Sequence, residues 1–526
     1  MRHFFVTLLV FVSGSMAFAQ APPIAWQHTY GGSDYDIAHA VIATADGGYI
    51  TAGVSWSDDG DVTYAILAGD AWLVKTDFYG NIQWQNSYGG IGSDEADAVR
   101  QTKDHGYIFA GTTYSTDLHG YHDEGDILVG KTDSAGNLLW QKCYGGSKVE
   151  MGADIQQTSD GGYIVVGNTG SIDGDVTGFH GGTGGDVWII KLDDTGGLQW
   201  QRTYGGTAWD YATSVLQTAD SGYMVAALTI SDSGDVTHHY GLYDAWILKL
   251  KPTGELVWQK TYGGSGFDAA NCIRQTADGA FIFAGNTAST DGDVTYNRGG
   301  PLYMGAVLYG DFWVVKIDDT GAIIWQQTYG GTGDEEGNSL ALTLDGGYVV
   351  TGWTESNDDQ VTGYRDSTDI WVLKIDDTGA LQWQETLGGT QSDIAYSILQ
   401  SADSSYLVAG RTTSFNGDVT YNHGLQDYWL VKLGKKVNAT PLINAPDAIE
   451  VYPTVTDGNV QVVLPLLNED AIFSMTNMLG QKVNLAISST GQIYTIQIDR
   501  SAPEGMYVLQ VNRSGVLSSF KILLKK

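Results

Sequence analysis

The chain has 526 residues and a formal net charge of -34, with 70 glycines, 9 prolines and 11% aromatic residues. Such acidity, with no basic stripe to offset it, argues against nucleic acid and anionic lipid as partners. The wealth of Trp and Tyr excludes a disordered low-complexity chain, and glycine with aromatic and β-branched residues points to many short strands joined by tight turns.

The chain opens on "MRHFFVTLLVFVSGSMAFAQ". Arg2 and His3 lead into an apolar core from Phe4 to Val12, and Ala17-Phe18-Ala19 is a small-x-small cleavage site. This predicts a secretory signal over residues 1–19 and a secreted or surface-displayed protein starting at Gln20. No Cys follows the site to carry a lipid, and no later apolar run is long enough to span a bilayer. The two cysteines, Cys143 and Cys272, occupy different places in the repeat described next and are expected as free buried thiols.

Residues 20–433 repeat. Trp-Gln recurs at Trp26, Trp84, Trp140, Trp200, Trp258, Trp325 and Trp383, with spacings of 58, 56, 60, 58, 67 and 58 residues. Tyr-Gly-Gly follows six of them, and Leu387-Gly388-Gly389 follows the last. Each unit predicts four strands: an alternating piece after the Gly pair, an apolar piece after an Asp-Gly-Gly-type turn, a third such as "DVWIIKLD", and a fourth such as "LQWQRTY". Seven units of four strands predict an all-β fold, a seven-bladed β-propeller. The chain supplies the fourth strand first ("IAWQHTY") and ends its last unit after the third, so the N-terminal strand is expected to close the ring.

A residue present in every unit carries geometry rather than one active site. The series Asp70, Asp126, Asp186, Asp244, Asp311, Asp369 and Asp427 predicts acceptors at the start of the third strand. Five residues on, Lys75, Lys131, Lys191, Lys249, Lys316, Lys374 and Lys432 are expected to pair with turn acids. The acids Asp36, Asp94, Glu150, Asp210, Asp268, Glu335 and Asp393 are expected to accept loop N–H groups between units.

The pattern "WQxTYGG…D.A…Q.T.DGGYIVxGxTxS" resembles the β-propeller repeat of secreted bacterial proteins known as the SBBP type, common among Bacteroidetes surface proteins, over about residues 24 to 433. The resemblance implies a scaffold rather than a reaction. "LDDTGGLQW" also resembles the tryptophan-docking turn of pyrroloquinoline-quinone propeller enzymes, but those have eight blades and an adjacent-cysteine disulfide, which this chain lacks.

The loops between the second and third strands vary most and are expected to form the ligand-binding face. They carry His119, Tyr121, His122, His180, His238, His239, Tyr240, Tyr243, Tyr296, Arg298, Tyr303, Tyr309, Tyr364, Arg365, Tyr421 and His423. Tyr and Arg suit binding surfaces because they offer area and hydrogen bonds at modest entropic cost. The pairs Asp59/Asp61, Asp173/Asp175 and Asp291/Asp293 resemble fragments of a calcium loop without its distal Glu, so calcium is the one cofactor weighed, against plain Asx-turns. No nucleophile–base motif surrounds the two clusters a hydrolase or lyase would use, His119, His122, Asp123 and Glu124, or His238 and His239 with Asp244. A non-catalytic module for a glycan, protein or surface polymer is therefore preferred to an enzyme.

Residues 434–447 read as a polar linker. Residues 448–526 alternate through about seven strands, are formally neutral, and predict a small β-sandwich. Val451-Tyr452-Pro453, Asp457-Gly458-Asn459, Leu479-Gly480-Gln481, Gly505-Met506-Tyr507 and the closing run to Lys525-Lys526 resemble the type A C-terminal sorting domain of type IX secretion substrates. Pro453-Thr454-Val455 stands where that family has Pro-Asn-Pro. The resemblance implies export through the type IX machinery, with cleavage and attachment to surface lipopolysaccharide.

Overall fold

The computed structural model describes residues 19–63, 68–182, 184–298 and 310–434, and beyond them most of 450–525 in short segments. The described chain is all-β, with no helix. It divides into two units, residues 1–436 and 437–526. The predicted signal peptide (residues 1–18 of it), Tyr303, Tyr309, Pro453, Gly458, Gly480, Lys526 and most of the predicted linker lie outside the described residues.

The first unit contains, among the described residues, seven four-stranded antiparallel sheets. Sheet 1 is typical: Asp36–Ala43 lies innermost, followed by Tyr49–Ser55, Asp70–Thr76 and Ile82–Tyr88. The middle strands are buried on both faces, which is why they read as apolar runs, while the outer strand is half-exposed. The inner strand carries a bulge between Ala38 and Ala40, repeated at Gly152/Asp154, Ala212/Ser214, Gly337/Ser339 and Ala395/Ser397.

Ile24–Tyr30 pairs antiparallel with Asp427–Leu433 and completes sheet 7, as the interrupted repeat predicts. Sheet 7 then packs on sheet 1, where Leu407, Ala409, Tyr428 and Leu430 share a core with Ala38, Trp72 and Val74. The N-terminal strand thus closes the ring.

Four repeated residues explain this arrangement. Trp72, Trp188, Trp246, Trp313, Trp371 and Trp429 are fully buried, each worth roughly 1.5–3 kcal/mol of burial. Each indole N–H needs a partner there, and the Gln of Trp-Gln supplies it: Trp246 Nε1 donates to Gln259 Oε1 at 2.7 Å, and Trp429 Nε1 to Gln27 Oε1 at 2.7 Å across the closing seam. Sheet 2 has Leu128 instead of Trp, and there Gln141 Oε1 is buried with no partner. The Tyr before the Gly pair reaches the next sheet. Tyr30, Tyr88, Tyr144 and Tyr262 donate to the carbonyls of Gly80, Gly136, Gly196 and Gly321 at 2.6–2.8 Å, in the turn between third and fourth strands. Sheet 7 has no such turn, because its fourth strand comes from the N-terminus. Leu387, which would face it, accordingly lacks the hydroxyl.

The lysines behave as expected. Lys75, Lys131, Lys191, Lys316, Lys374 and Lys432 pair with Asp46, Asp104, Asp160, Asp278, Asp345 and Asp403 at 2.8–3.3 Å. Lys249 departs by bonding Asp319 of the following sheet's turn. Cys143 and Cys272 are free and buried, as expected.

The second unit holds two sheets with a common core that includes Val460, Val462, Met475, Ile496, Leu509, Val511 and Ile522. Its described strands include two short segments, Val455–Thr456 and Lys482–Val483, beyond the seven or so that alternation predicts. Tyr452 lies in a strand, Gly505 opens another, and Tyr507 is buried with its hydroxyl donating to Pro503 O at 2.6 Å; Lys525 is exposed.

Candidate functional site

The second-to-third-strand loops and the Gly-pair connections share one face. Ser33 N donates to Asp59 Oδ1 at 2.6 Å, Ser147 N to Asp173 Oδ1 at 2.8 Å and Ser265 N to Asp291 Oδ1 at 2.7 Å. Gly31, Gly145 and Gly263 N–H groups point to Asp61, Asp175 and Asp293 at 3.3–3.4 Å. The Asp-Gly-Asp segments thus clasp the neighbouring glycine turn, with Gly60, Gly174 and Gly292 at φ near 65° where a side chain is disfavoured. None of these six acids falls in a group of three or more potential metal ligands among the described residues.

The loop histidines and arginines are held by the buried Asp series. Asp186 Oδ2 accepts from His180 N at 2.9 Å and lies 2.7 Å from His180 Nδ1; Asp427 Oδ2 stands likewise at 2.7 Å from both His423 N and Nδ1. His122 bonds Asp126 in the same manner at 2.9 and 3.1 Å. Arg298 donates N–H and Nη1 to Asp311, Arg365 N to Asp369, and Tyr240 N to Asp244. Burial pushes Asp244 and Asp311 up to about 6 and Asp369 to about 7, against the loop donors that oppose the shift. His239 Nε2 lies 3.1 Å from Leu242 O, and His238 packs edge-on against Tyr240. Glu124 pairs with Lys148 at 3.2 Å, Asp123 accepts from Glu124 N, and His119 O accepts from Cys143 N. Tyr364 bonds Ser367 O. Tyr121 packs against the core shared by sheets 1 and 2.

What this face offers to a ligand is aromatic. Trp56, Tyr114, Tyr240, Tyr296, Phe415 and Tyr421 are exposed on it. A continuous group links two sheets: Trp209 stacks on Tyr211 (5.5 Å, 4°), Tyr211 approaches Tyr243 (6.5 Å), and Tyr243 tilts on Phe267 (5.2 Å). The strip is positioned by backbone, since Asp268 N donates to Tyr243 O at 2.7 Å. Of these four, only Tyr243 stands among the loop residues singled out from sequence. Trp209 and Phe267 sit in the short Gly-pair connections, at a position where the other units carry Tyr35, Ser93, Val149, Asp334 and Ser392.

The inner strands of all seven sheets line a central channel. A cavity of about 340 Å³ is bordered by residues such as Val41, Arg100, Gln156, Leu216, Arg274 and Leu399. Nearer the loop face, three residues after the repeated acid, a belt of side chains runs His39, Asp97, Ala153, Thr213, Asn271, Asn338, Tyr396. Thr213, Asn271 and Asn338 each donate to a carbonyl of the next sheet at 2.6–3.1 Å. His39 Nδ1 lies 2.8 Å from Asp97 Oδ1, and Tyr396 meets the His39 ring edge-on at 5.6 Å. Burial disfavours the His39 imidazolium, yet Asp97 and Glu95 outweigh it and hold the imidazole above its ordinary value, with Arg411 opposing. Burial, reinforced by Asp97, pushes Glu95 up to about 7. Sequence reasoning passed over this group. Its signal was the breakdown of the repeat at one position of an otherwise regular strand.

No family model matches the chain, and no curated protein matches it. Solved structures that it resembles include the WD40 domain of Pan2 from Neurospora crassa (8% identity, TM-score 0.31, 64% of this chain and 88% of that one). Others are YCF48 bound to D1 peptide (11%, 0.37, 81% and 99%) and a mutant puromycin hydrolase complexed with PGG (12%, 0.45, 89% and 62%). The likeness is slight and no activity follows from it; the repeated four-stranded antiparallel sheets are read from this chain itself. Among the described residues no helix is long and apolar enough to cross a membrane.

Proposed function

We propose that this is an exported, surface-displayed seven-bladed β-propeller that binds an extended glycan-type polymer without catalysis. The seven sheets are its blades, and the loop face is its contact surface. The observation that carries the reading is the Trp209–Tyr211–Tyr243–Phe267 strip. Flat, pre-positioned rings offer contact area at little entropic cost, which suits sugar rings presented in series. His122, His180 and His423 turn their Nδ1 atoms to scaffold carboxylates, a structural use of these rings that supports the reading. The second unit, a two-sheet sandwich in this reading, acts as the type IX sorting domain and, after cleavage, leaves the propeller attached to surface lipopolysaccharide.

The test is binding of the purified protein to an array of bacterial and plant polysaccharides, with Trp209→Ala and Tyr243→Ala alongside. Specific binding weakened at least about tenfold by either change, with unchanged melting, supports the reading; equal binding by all three proteins, or a blank array, rejects it. Export is tested separately: in a host with type IX machinery, removal of residues 437–526 is expected to retain the protein inside the cell envelope.

A further inference from the structure

We infer that His39, Glu95 and Asp97 form a divalent-metal site at the loop-face end of the central channel, suited to a zinc-type transition ion. The three residues come from the inner strand of sheet 1 and the segment opening sheet 2, and their ligand atoms lie within 4.8 Å of one another. They are the only such grouping among the described residues. One imidazole and two carboxylates match the donor types of zinc, whereas calcium wants six to eight oxygens and gains little from the imidazole.

Two further observations point to a ligand. His39 Nδ1 is out of reach of solvent and has no hydrogen-bond partner, although Asp97 Oδ1 stands 2.8 Å away. The oxygen lies close but off the direction a hydrogen bond requires, so nitrogen and oxygen converge without satisfying each other. A buried unsatisfied ring nitrogen destabilises the fold, and a cation bound by both atoms removes that penalty. Second, three other belt residues have a different solution. Thr213, Asn271 and Asn338 tie successive sheets together with neutral hydrogen bonds. Only where sheets 1 and 2 meet does the belt place a ring nitrogen against carboxylates. Arg411 opposes the carboxylates at His39; with the imidazole neutral, as a metal ligand must be, Glu95 and Asp97 outnumber that one guanidinium. The remainder of the His39 and Asp97 side chains is open to the channel at 20% and 25% exposure, so a small movement of the ring admits an ion, and water can complete the coordination.

The experiment uses the full-length protein, stripped with chelator and titrated with Zn²⁺ against a chromogenic competitor, with metal content measured by emission spectrometry after dialysis. One zinc per chain is expected. Asp97→Asn and His39→Gln should each weaken it by at least the roughly 10- to 100-fold that loss of an outer-shell partner costs. The His238→Ala/His239→Ala double variant should bind as the parent does. Cobalt(II) substitution gives a readout independent of stability: visible d–d bands expected in the parent and absent in His39→Gln. Sub-stoichiometric zinc, binding lost with His238 and His239, binding retained in both channel variants, or uptake of Ca²⁺ with no zinc would each overturn the assignment. If a channel variant fails to fold, the cobalt spectrum of the parent decides, because the proposal requires an imidazole–carboxylate signature. Polysaccharide binding is read on the same samples with and without zinc, so failure of the metal site and failure of the glycan reading are distinguished.

Discussion

The loop face and the channel belt carry similar residues in opposite ways. On the loop face, histidines and arginines look chemical, yet sheet after sheet repeats one arrangement: a buried Asp accepts a backbone N–H from the loop, and the side chains of His122, His180, Arg298 and His423 fold over the same carboxylate, while that of Arg365 turns to Asp418. Since the backbone makes the essential bond, the side chain is free to be His, Arg or Tyr. In the belt no backbone bond dictates the residue: Thr or Asn bridges three of the seams, and where sheets 1 and 2 meet His39 and Asp97 stand together instead. Variation with constant geometry marks scaffold; a change of geometry at a repeated position marks a site.

The comparison breaks first if buried and exposed tryptophans prove equivalent. Trp246→Ala empties a fully buried position and strands Gln259, and is expected to cost about 3–5 kcal/mol in chemical denaturation. Trp209→Ala, on the surface strip, should cost less than about 0.5 kcal/mol while removing ligand binding.

Acidity sharpens it next. Burial raises Asp36, Asp210 and Asp311 to about 6 and Asp369 to about 7. The folded chain therefore holds protons that the unfolded chain has released between about pH 4 and pH 7, and stability must fall as pH rises through that window. The Lys partners act the other way: Asp104 and Asp278, held near 2 by hydrogen bonds from Thr102 and Lys131 and from Lys316 and Thr276 that outweigh burial, contribute stability that is lost as pH drops below about 4. Melting temperature should peak between about pH 4 and 5, and Asp210→Asn should flatten the upper limb. A maximum above about pH 7 would contradict the burial of these acids.

Smaller effects test the links between sheets. Tyr262→Phe removes the bond to Gly321 O and should cost about 1 kcal/mol, whereas Leu387→Tyr, with no turn to reach, should gain nothing. Of the same size, Gln259→Leu should destabilise by about 1 kcal/mol more than Gln141→Leu, because Gln141 Oε1 already lacks a donor.

The repeat made the strands, their order, the closing seam and the Lys–Asp pairs legible, because each follows from alternation and turn chemistry. The partners of Gln259 and Tyr262 were not, since both bonds join strands or sheets that linear spacing does not relate. The belt escaped for a physical reason. The bulge after Ala38 shifts the two-residue alternation midway along the inner strand, so parity alone does not tell which of His39, Ala40 and Val41 faces the channel. The aromatic strip was half-legible: Tyr243 lies in a long variable loop, but Trp209 and Phe267 lie in short connections where only turn residues are expected.

The bond from Trp429 to Gln27 spans 402 residues of chain. A polypeptide that leaves the ribosome, or threads a membrane, with its N-terminus first must keep Ile24–Tyr30 unpaired until almost the whole ring has followed. The seam therefore works as a completion check: a truncated or stalled chain keeps an open edge that proteases and chaperones can seize, and only a finished one becomes a sealed, edgeless object.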